Sequence, residues 1–502
     1  MEMFFLFFLI VVLAIGVGLF FVARLIYIHY FKNKMEMETT KIKFTQSFTF
    51  KGITVVFLIL ILLIPSTMIQ NLIEERQERN RETVQKINDK WSRSQTLCAP
   101  LLLIPYTTTK LDKDKKPYYE EHTLYITPKE LKISASLIPV ERYYGIYKAI
   151  LYKSDIHFKG NFSELADLKI ENSELHFDKA QIAIGITDLR GVTQNPDFKI
   201  GNKTLETSVG VVKMFSVSES VVVEDITKYG TRGSYFRDKN VSGKTLIVNL
   251  KDVLLTDSLP QLLNFDCTMK LNGSSSLNFI PIGQNTDVTI TGQWKSPSFI
   301  GSFSPESTID NDQFNADWNI LSFNREIPET WSDDDITDLG SNSFGVNLIE
   351  TVDHYQQNMR SAKYALMFIA LTFIVFFFVE IFTRKPILFF QYVLVGIALI
   401  LFYSLLLSLS EQIGFGLAYL AASIATILMT TVYFYSLIKQ KPATFILAGI
   451  MFILYAFLYV ILQVEDFALL FGSIFLFIIL GVIMFVSNKI KLRGQNSEEE
   501  MA

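Results

Sequence analysis

Seven apolar stretches constrain this chain most, because a helix needs about 20 apolar residues to cross the hydrocarbon core of a bilayer. Two of them lie near the N-terminus and five lie in the C-terminal third. They are Met3 to Ala23, Gly52 to Ile69, Tyr364 to Phe382, Ile387 to Leu409, Gly414 to Ile438, Ala443 to Leu462 and Phe467 to Val486. The sequence therefore predicts a membrane α + β protein with about seven transmembrane helices.

The ends of the first two stretches need interpretation. No basic residues precede Met3 to Ala23 and no small-x-small cleavage pattern follows it, so an uncleaved helix is favoured over a secretory signal. The second stretch is closed by Pro65 near its outer end, and we expect a charged helix, Asn71 to Trp91, to continue from this span.

The charges of the short loops predict the orientation, because Lys and Arg prefer the cytoplasmic side. Basic loops follow the first, third, fifth and seventh stretches, and the loops between them are acidic. The basic residues are Lys32, Lys34, Lys41, Lys43, Lys51, Arg384, Lys385, Lys439, Lys441, Lys489, Lys491 and Arg493, and the acidic ones are Glu411, Glu465 and Asp466. We expect the N-terminus outside and the C-terminus in the cytoplasm of a bacterial inner membrane.

This orientation divides the chain into six segments. They are an extra N-terminal transmembrane helix (1–31), a basic cytoplasmic loop (32–51), a transmembrane helix (52–70), a periplasmic β-rich domain with an initial charged helix (71–360), a five-helix transmembrane bundle (361–488) and a cytoplasmic tail (489–502).

The region 71–360 reads mainly as strands, because apolar and polar residues alternate in short runs separated by turn signals. The runs are Thr123 to Ile126, Lys132 to Leu137, Ile146 to Tyr152, Gln181 to Ile186, Thr245 to Asn249, Asp287 to Trp294 and Gly345 to Glu350. Turn signals are Asn161, Asn272-Gly273 and Gly283. Short strands with frequent turns favour a large sandwich-like domain, or two in tandem.

Composition excludes some functions. The net charge of −4 leaves no nucleic-acid footprint, and 50% hydrophobic residues fit apolar helices joined to a polar domain. Only Cys98 and Cys267 occur, and two buried thiols are favoured over a disulfide.

The sequence contains no recognisable catalytic, cofactor-binding or metal-binding motif. Nucleotide loops, nucleophile elbows and C-x-x-C pairs are missing, and the five histidines show no ligand spacing. Asp310-x-Asp312 resembles the start of a calcium loop, but Asn315 stands where such a loop needs glycine, so we expect a solvated acidic turn. We expect no enzyme and no cofactor.

A polar cluster at the junction of the fourth and fifth spans is the candidate functional site. It comprises Ser408, Ser410 and Glu411. Ionisable groups near a bilayer core often mark function, whereas Glu411 at the interface could simply mark a turn. Gly414 and Gly416 are expected to let the two helices pack closely. Glu380 lies one turn from Arg384, which suggests a local ion pair.

Several motifs follow one another in a characteristic order. They are Trp91 to Pro105, Asp188-x-Arg190-Gly191, Trp294-x-x-Pro297-Ser-Phe299-x-Gly301, Asn315-Ala316-x-Trp318, Val352 to Tyr355, Arg360 to Tyr364 and Ser410-Glu-Gln-Ile-Gly-Phe415. From about Phe50 to Asn488 the chain resembles the inner-membrane protein CreD family. Ala99 stands where that family usually has glycine. Gln412 replaces a common histidine, which weakens a proton-relay role there.

The resemblance implies a bacterial inner-membrane protein tied to cell envelope integrity and to tolerance of envelope stress, and it implies no enzymatic activity. Our first hypothesis is that the periplasmic domain binds envelope components or proteins while the helices anchor it in the lipid bilayer. A transporter or flippase with Ser408, Ser410 and Glu411 lining a polar path is one alternative. An enzyme acting on a lipid-linked or cell-wall substrate is the other.

Overall fold

The computed structural model describes most of the chain beyond the first 47 residues. The described residues are 48–111, 114, 117–165, 168, 170, 172–210, 215–226, 232–251, 253–254, 261–333, 338–348, 354–383, 385–464 and 467–488. The chain forms two compact units, of which one ends at Gln77 and resumes at Asp353, and the other is Glu78–Val352. The predicted span Met3 to Ala23, the loop acids Glu465 and Asp466, and the C-terminal tail lie outside the described residues.

The first described helix, α1, is much longer than a membrane span. It runs for 44 residues, Phe48–Trp91, and changes from apolar to charged along its length. Pro65 lies inside the helix and does not close it, and the charged helix predicted for Asn71 to Trp91 continues directly from the apolar part. The missing N–H of Pro65 costs one helical hydrogen bond, and Thr67 Oγ1 donates to Ile64 O at 2.8 Å in the same turn.

Six further helices complete this unit among the described residues. They are α2 (His354–Lys363), α3 (Ala365–Thr383), α4 (Phe389–Ile413), α5 (Phe415–Ile438), α6 (Lys441–Gln463) and α7 (Ala468–Asn488). Helices α1 and α3 to α6 are long and apolar enough to cross a membrane, and α7 contains a shorter apolar core, Leu470–Phe485. The described chain therefore supports about six spans, which corrects the predicted seven.

The described residues of the second unit form twenty strands. They are β1 (Gln95–Leu111), β2 (Pro117–Ile126), β3 (Glu130–Tyr144), β4 (Tyr147–Ser163), β5 (Ser173–Leu175), β6 (Gln181–Ile186), β7 (Asp197–Ile200), β8 (Lys203–Leu205), β9 (Thr207–Gly210), β10 (Ser216–Ile226), β11 (Arg232–Ser242), β12 (Lys244–Asn249), β13 (Leu262–Ser274), β14 (Ser276–Ile280), β15 (Asn285–Gln293), β16 (Pro297–Gly301), β17 (Glu306–Asp310), β18 (Gln313–Leu321), β19 (Thr330–Ser332) and β20 (Phe344–Leu348). Each of the seven predicted runs falls on a strand for most of its length, although Ile146 and Trp294 lie just outside β4 and β15 and residues 349 and 350 lie outside the described residues.

The strands form two large mixed sheets and a separate β10–β11 hairpin. One sheet has ten strands, with β16-β20-β14-β1-β6-β12-β9 as its main path, and the other has eight, in the order β17-β18-β15-β3-β4-β13-β7-β8. Strand β1 pairs in parallel with β14, and β3 pairs in parallel with β15. The prediction of uniformly short strands was wrong, since β1 and β4 each have 17 residues.

Both sheets contribute to one hydrophobic core, so the unit is not two sandwiches in tandem. Phe158 of the eight-stranded sheet meets Phe279 of the ten-stranded sheet edge-on, with ring centroids 6.3 Å apart. Tyr152 also crosses between the sheets, where its hydroxyl donates to Ser276 O at 2.8 Å.

Two predicted turn signals lie inside strands. Asn161 pairs within β4, and Asn272-Gly273 continues β13 opposite β4. A Cβ on Gly273 would lie 2.2 Å from Tyr152 Oη, so this glycine makes room for a tyrosine ring rather than for a turn.

The cysteines confirm the thiol prediction. Cys98 in β1 and Cys267 in β13 belong to different sheets, and both are buried and free. Burial raises the pKa of the Cys98 thiol well above its usual value. Burial, together with the nearby carboxylates Asp266 and Asp197, raises the pKa of Cys267 to about 12.

Candidate functional site

The junction between α4 and α5 is a tight bend at Gly414. This residue has φ +78°, a backbone conformation that side chains with a Cβ rarely adopt. Its N–H donates to Ser410 O at 3.2 Å, and its own carbonyl accepts from Ala418 N at 3.2 Å. The last turn of α4, which carries Ser410 and Glu411, is thereby held against the start of α5.

The prediction that Gly414 and Gly416 permit close helix packing was wrong. A Cβ on Gly414 would meet nothing within 4 Å, and one on Gly416 would meet only Tyr459 Oη at 3.5 Å. Gly414 is needed for its backbone conformation. The close approach occurs at Gly396 in the middle of α4, where a Cβ would lie 2.4 Å from Leu62 Cδ1 of α1.

Glu411 lies among polar partners from two other helices. The Tyr355 hydroxyl of α2 donates to Oε1 at 3.1 Å, and Arg76 Nη1 of α1 lies 3.9 Å from Oε2. The Glu411 side chain is 8% exposed, whereas that of Arg76 is 41% exposed. The carboxylate is thus largely enclosed, and the cationic Arg76 lies beside it at an open edge.

Ser410 joins the same cluster through Asn358 of α2. Asn358 Nδ2 donates to Ser410 Oγ at 2.7 Å and to His354 O at 2.7 Å. The Ser410 hydroxyl in turn donates to Leu407 O at 2.9 Å. Both side chains are buried, so this chain of hydrogen bonds connects α2 to α4 away from solvent.

The structure brings together two of the three predicted site residues. Ser410 and Glu411 are neighbours in the cluster, but Ser408 is exposed. Two residues along a helix correspond to a rotation of about 200°, so Ser408 points away from the side that Ser410 occupies. Sequence proximity had grouped side chains that helical geometry separates.

Sequence reasoning missed Tyr355, Asn358 and Arg76 as partners of this site. The available signal was the polar spacing of His354, Gln357, Asn358 and Ser361, which falls at i, i+3, i+4 and i+7. That spacing places all four side chains on one face of a helix, and a buried face normally carries apolar residues.

A second buried carboxylate lies at the other end of α4. Glu380 of α3 accepts a hydrogen bond from Ile387 N at 3.0 Å through Oε1 and one from Tyr392 Oη at 3.0 Å through Oε2. The predicted partner Arg384 lies outside the described residues. Glu380 therefore ties the connection between α3 and α4 to the first turn of α4.

The Asp188-x-Arg190-Gly191 motif forms a separate polar network in the β-rich unit. The Arg190 guanidinium contacts Asp188 with both Nε and Nη2, at 3.0 and 2.7 Å, and its Nη1 donates to Asp89 O at 2.6 Å. Burial alone would raise the pKa of Asp188, but hydrogen bonds from Arg190 and from Arg93 N bring the pKa below its usual value.

Gly191 is packed against this network and has no space for a side chain. A Cβ there would lie 2.3 Å from Asn272 O and 2.6 Å from Gln95 Nε2. Gln95 Nε2 also donates to Asp188 O at 2.9 Å and to Ser92 Oγ at 2.7 Å. The motif thus joins the end of α1 to strands of both sheets.

Other sequence candidates remain separate from these networks. The Asp310-x-Asp312 segment is an exposed hairpin turn between β17 and β18, with Asn311 and Asp312 at positive φ. Within the described ranges, no three His, Cys, Asp or Glu side chains are grouped so that they could hold a metal ion. The expectation of no enzymatic activity stays a prediction.

Apolar helices in one unit, two mixed sheets in the other and buried carboxylates among the helices define a multi-pass membrane protein with a large β-rich domain. Residues 47–493 match the family model for "Inner membrane protein CreD", and the chain belongs to this family of inner-membrane proteins. The "Inner membrane protein CreD" of Escherichia coli (strain K12) is 29% identical over 439 residues, which cover 86% of this chain and 91% of that protein.

Among solved structures, a mutant M1 zinc metallopeptidase from Deinococcus radiodurans aligns with 39% of this chain and 38% of that chain. The identity is 9% and the TM-score is 0.13, which is too low to carry an argument about fold or function.

Proposed function

We propose that this protein supports cell envelope integrity and tolerance of envelope stress, with its β-rich unit in the periplasm as the binding part. The observation that carries the proposal is α1, one uninterrupted helix whose first part is apolar and whose last part belongs to the β-rich unit. A β-rich unit with its own core is an unusual addition for a membrane anchor alone, and it can bind a partner outside the membrane.

The charge pattern of the sequence supports the periplasmic placement. Lys385, Lys439 and Lys441 lie at one set of helix connections, and Glu411 lies at the alternate set. Cationic loops stay in the cytoplasm, so the connections with Lys are assigned to the cytoplasmic side. The β-rich unit follows α1 on the opposite side, and with six spans the start of α1 and the end of α7 both lie in the cytoplasm.

Binding rather than catalysis is the proposed mode of action. The Asp188–Arg190 network is occupied with internal hydrogen bonds, and its residues hold α1 to the sheets. The ligand class we propose is an envelope component or another envelope protein, recognised by the β-rich unit.

A complementation experiment in a strain that lacks the native protein tests this function. Cells with the full chain should survive envelope stress, whereas cells with a chain in which 95–348 is replaced by a flexible linker should not. The shortened chain must reach the membrane in equal amount, which immunoblotting of membrane fractions checks. Equal survival with both chains would contradict the proposal, because the β-rich unit would then be dispensable.

Transport or lipid flipping is the second candidate function, and the enclosed Glu411 carboxylate favours it. Its contacts with Tyr355 and Arg76 place an ionisable group among three helices. Under this hypothesis Glu411→Gln should abolish stress tolerance while the protein remains abundant. If tolerance persists, Glu411 is not part of a transport path, since the variant loses its charge but keeps its shape.

A further inference from the structure

Helix α2 turns a polar face into the helical unit. His354, Gln357, Asn358 and Ser361 share this face, and α2 packs against α4, α5 and α6. Gln357, Asn358 and Ser361 are 8%, 1% and 0% exposed. Apolar side chains would pack at this position at a lower cost in free energy. The buried polar atoms therefore indicate that this face binds a polar partner.

Three oxygen atoms on this face have no hydrogen-bond donor among the described residues: Gln357 Oε1, Asn358 Oδ1 and Ser361 Oγ. The orientation of the Asn358 amide is fixed by its neighbours. Ser410 Oγ donates to Leu407 O and His354 O can only accept, so Asn358 must direct its NH₂ group towards both of them. Its oxygen is therefore an acceptor without a donor, which native proteins rarely tolerate.

The missing partner must be rich in donors and positively charged. The unpaired atoms are neutral oxygens, and the carboxylate of Glu411 lies next to Ser410 in the same cluster. A protonated primary amine carries three N–H donors and one positive charge, which suits this set. We propose that the α2 face and Glu411 form a binding site for a primary ammonium group.

Arg76 indicates which source of amine suits the site. Its guanidinium lies beside Glu411 and its side chain is 41% exposed. An arginine at this edge can hold a phosphate adjacent to the amine. The combination matches the zwitterionic headgroup of an aminophospholipid better than a free amine. The proposal does not depend on the envelope function.

Entry of the amine requires a small movement, because the three oxygens are closed to solvent. Helix α2 is separated from α3 by a single turn residue, Tyr364. A shift of α2 at Tyr364 would open the face towards Glu411 while leaving α3 in place.

The test uses the full chain in phosphatidylglycerol nanodiscs with added phosphatidylethanolamine or phosphatidylcholine. The two added lipids differ in that only the first has ammonium N–H donors. Native mass spectrometry should show the wild type retaining phosphatidylethanolamine about tenfold over phosphatidylcholine, as expected for one or two charge-assisted hydrogen bonds. The preference should fall to about one in Gln357→Leu and in Glu411→Gln.

Gln356→Leu is the matched control, since Gln356 is the exposed neighbour of Gln357 on the same helix. It should retain the preference of the wild type. In nanodiscs without phosphatidylethanolamine, Gln357→Leu should unfold at the same temperature as the wild type or higher, because it removes an unsatisfied buried oxygen. A merely structural glutamine would give a lower temperature in every lipid.

Soluble ethanolamine distinguishes the source of the amine. If ethanolamine competes for the site in pure phosphatidylglycerol, the site binds a free amine. If only the lipid is retained, the site recognises the headgroup of the phospholipid. Equal retention of the two lipids by the wild type, together with no effect of ethanolamine, would overturn the proposal. So would an unchanged preference in Gln357→Leu.

Discussion

Single residues of the helical unit differ in how much space surrounds them, and the two glycines of α4 and α5 illustrate this. Gly396 faces Leu62 and Phe373 so closely that any Cβ would lie 2.4 and 3.1 Å from their side chains. Gly416 is exposed and would meet only Tyr459 Oη at 3.5 Å. Two glycines that look alike in the sequence thus differ in whether a larger side chain can replace them.

We predict that Gly396→Leu lowers the stability of the protein by about 3 kcal/mol or more, because overpacking a buried contact forces helices apart. Gly416→Leu is the matched control and should change stability little. Unfolding temperature in detergent and abundance in the membrane measure both variants. Comparable damage from Gly416→Leu would show that a packed partner of that residue had been missed.

Asp188 allows a prediction about pH. Its folded pKa is lowered, so its hydrogen bonds contribute stability above the unfolded pKa of about 4 and lose it as the pH falls through the folded value. Asp188→Asn should lower the free energy of unfolding by about 2 kcal/mol at neutral pH. The difference between variant and wild type should shrink in acid.

Chemical denaturation at neutral and acidic pH checks this expectation for Asp188. Asp197→Asn is the control, because it removes an exposed pair with Lys199 and should have little effect. A difference that stays constant with pH would mean that the Asp188 carboxylate does not titrate with folding.

At the scale of elements, the two cysteines stand on strands of different sheets. We predict that the unfolding temperature is the same with and without a reducing agent, since neither thiol is in a disulfide. A maleimide should label Cys98 and Cys267 only after unfolding, because burial protects both thiols and raises their pKa. Rapid labelling of the folded protein would contradict the packing of β1 or β13.

Helix α1 continues past two local signals that usually mark the end of a membrane helix. Pro65 lies within it, and the composition changes from apolar to charged, yet the helix continues from Phe48 to Trp91. A proline removes one hydrogen bond but does not prevent the next turn when the following residues favour helix. Pro65 therefore does not close the membrane span, whereas the charged helix predicted after the span is the continuation of α1.

At the scale of the whole molecule, orientation is the property to measure. We predict that alkaline phosphatase is active when fused after Asn202, in the exposed turn between β7 and β8, and inactive when fused after Lys441 at the start of α6. A green fluorescent protein fused at the same sites should give the opposite pattern. Activity after Lys441 with silence after Asn202 would invert the proposed topology.

The sequence by itself determined the element types in both units. Hydrocarbon thickness fixes the length of a membrane helix, so apolar runs predicted α3 to α7 with ends shifted by a few residues and predicted the apolar first part of α1. Alternation of polar and apolar residues fixes which face of a strand is buried, so the runs at Gln181 and Thr245 predicted β6 and β12.

Only the tertiary structure decided which distant residues meet. Strand β1 pairs with β2, which follows it in the chain, and also with the distant strand β14. The distant pairing forms because the buried faces of both sheets must share one core. Glu411 was identified from its sequence position, but Tyr355 and Arg76 reach it only through the packing of α2 and α1 against α4. Periodicity is a local property that a sequence displays directly, whereas contacts between separate elements depend on how their surfaces fit.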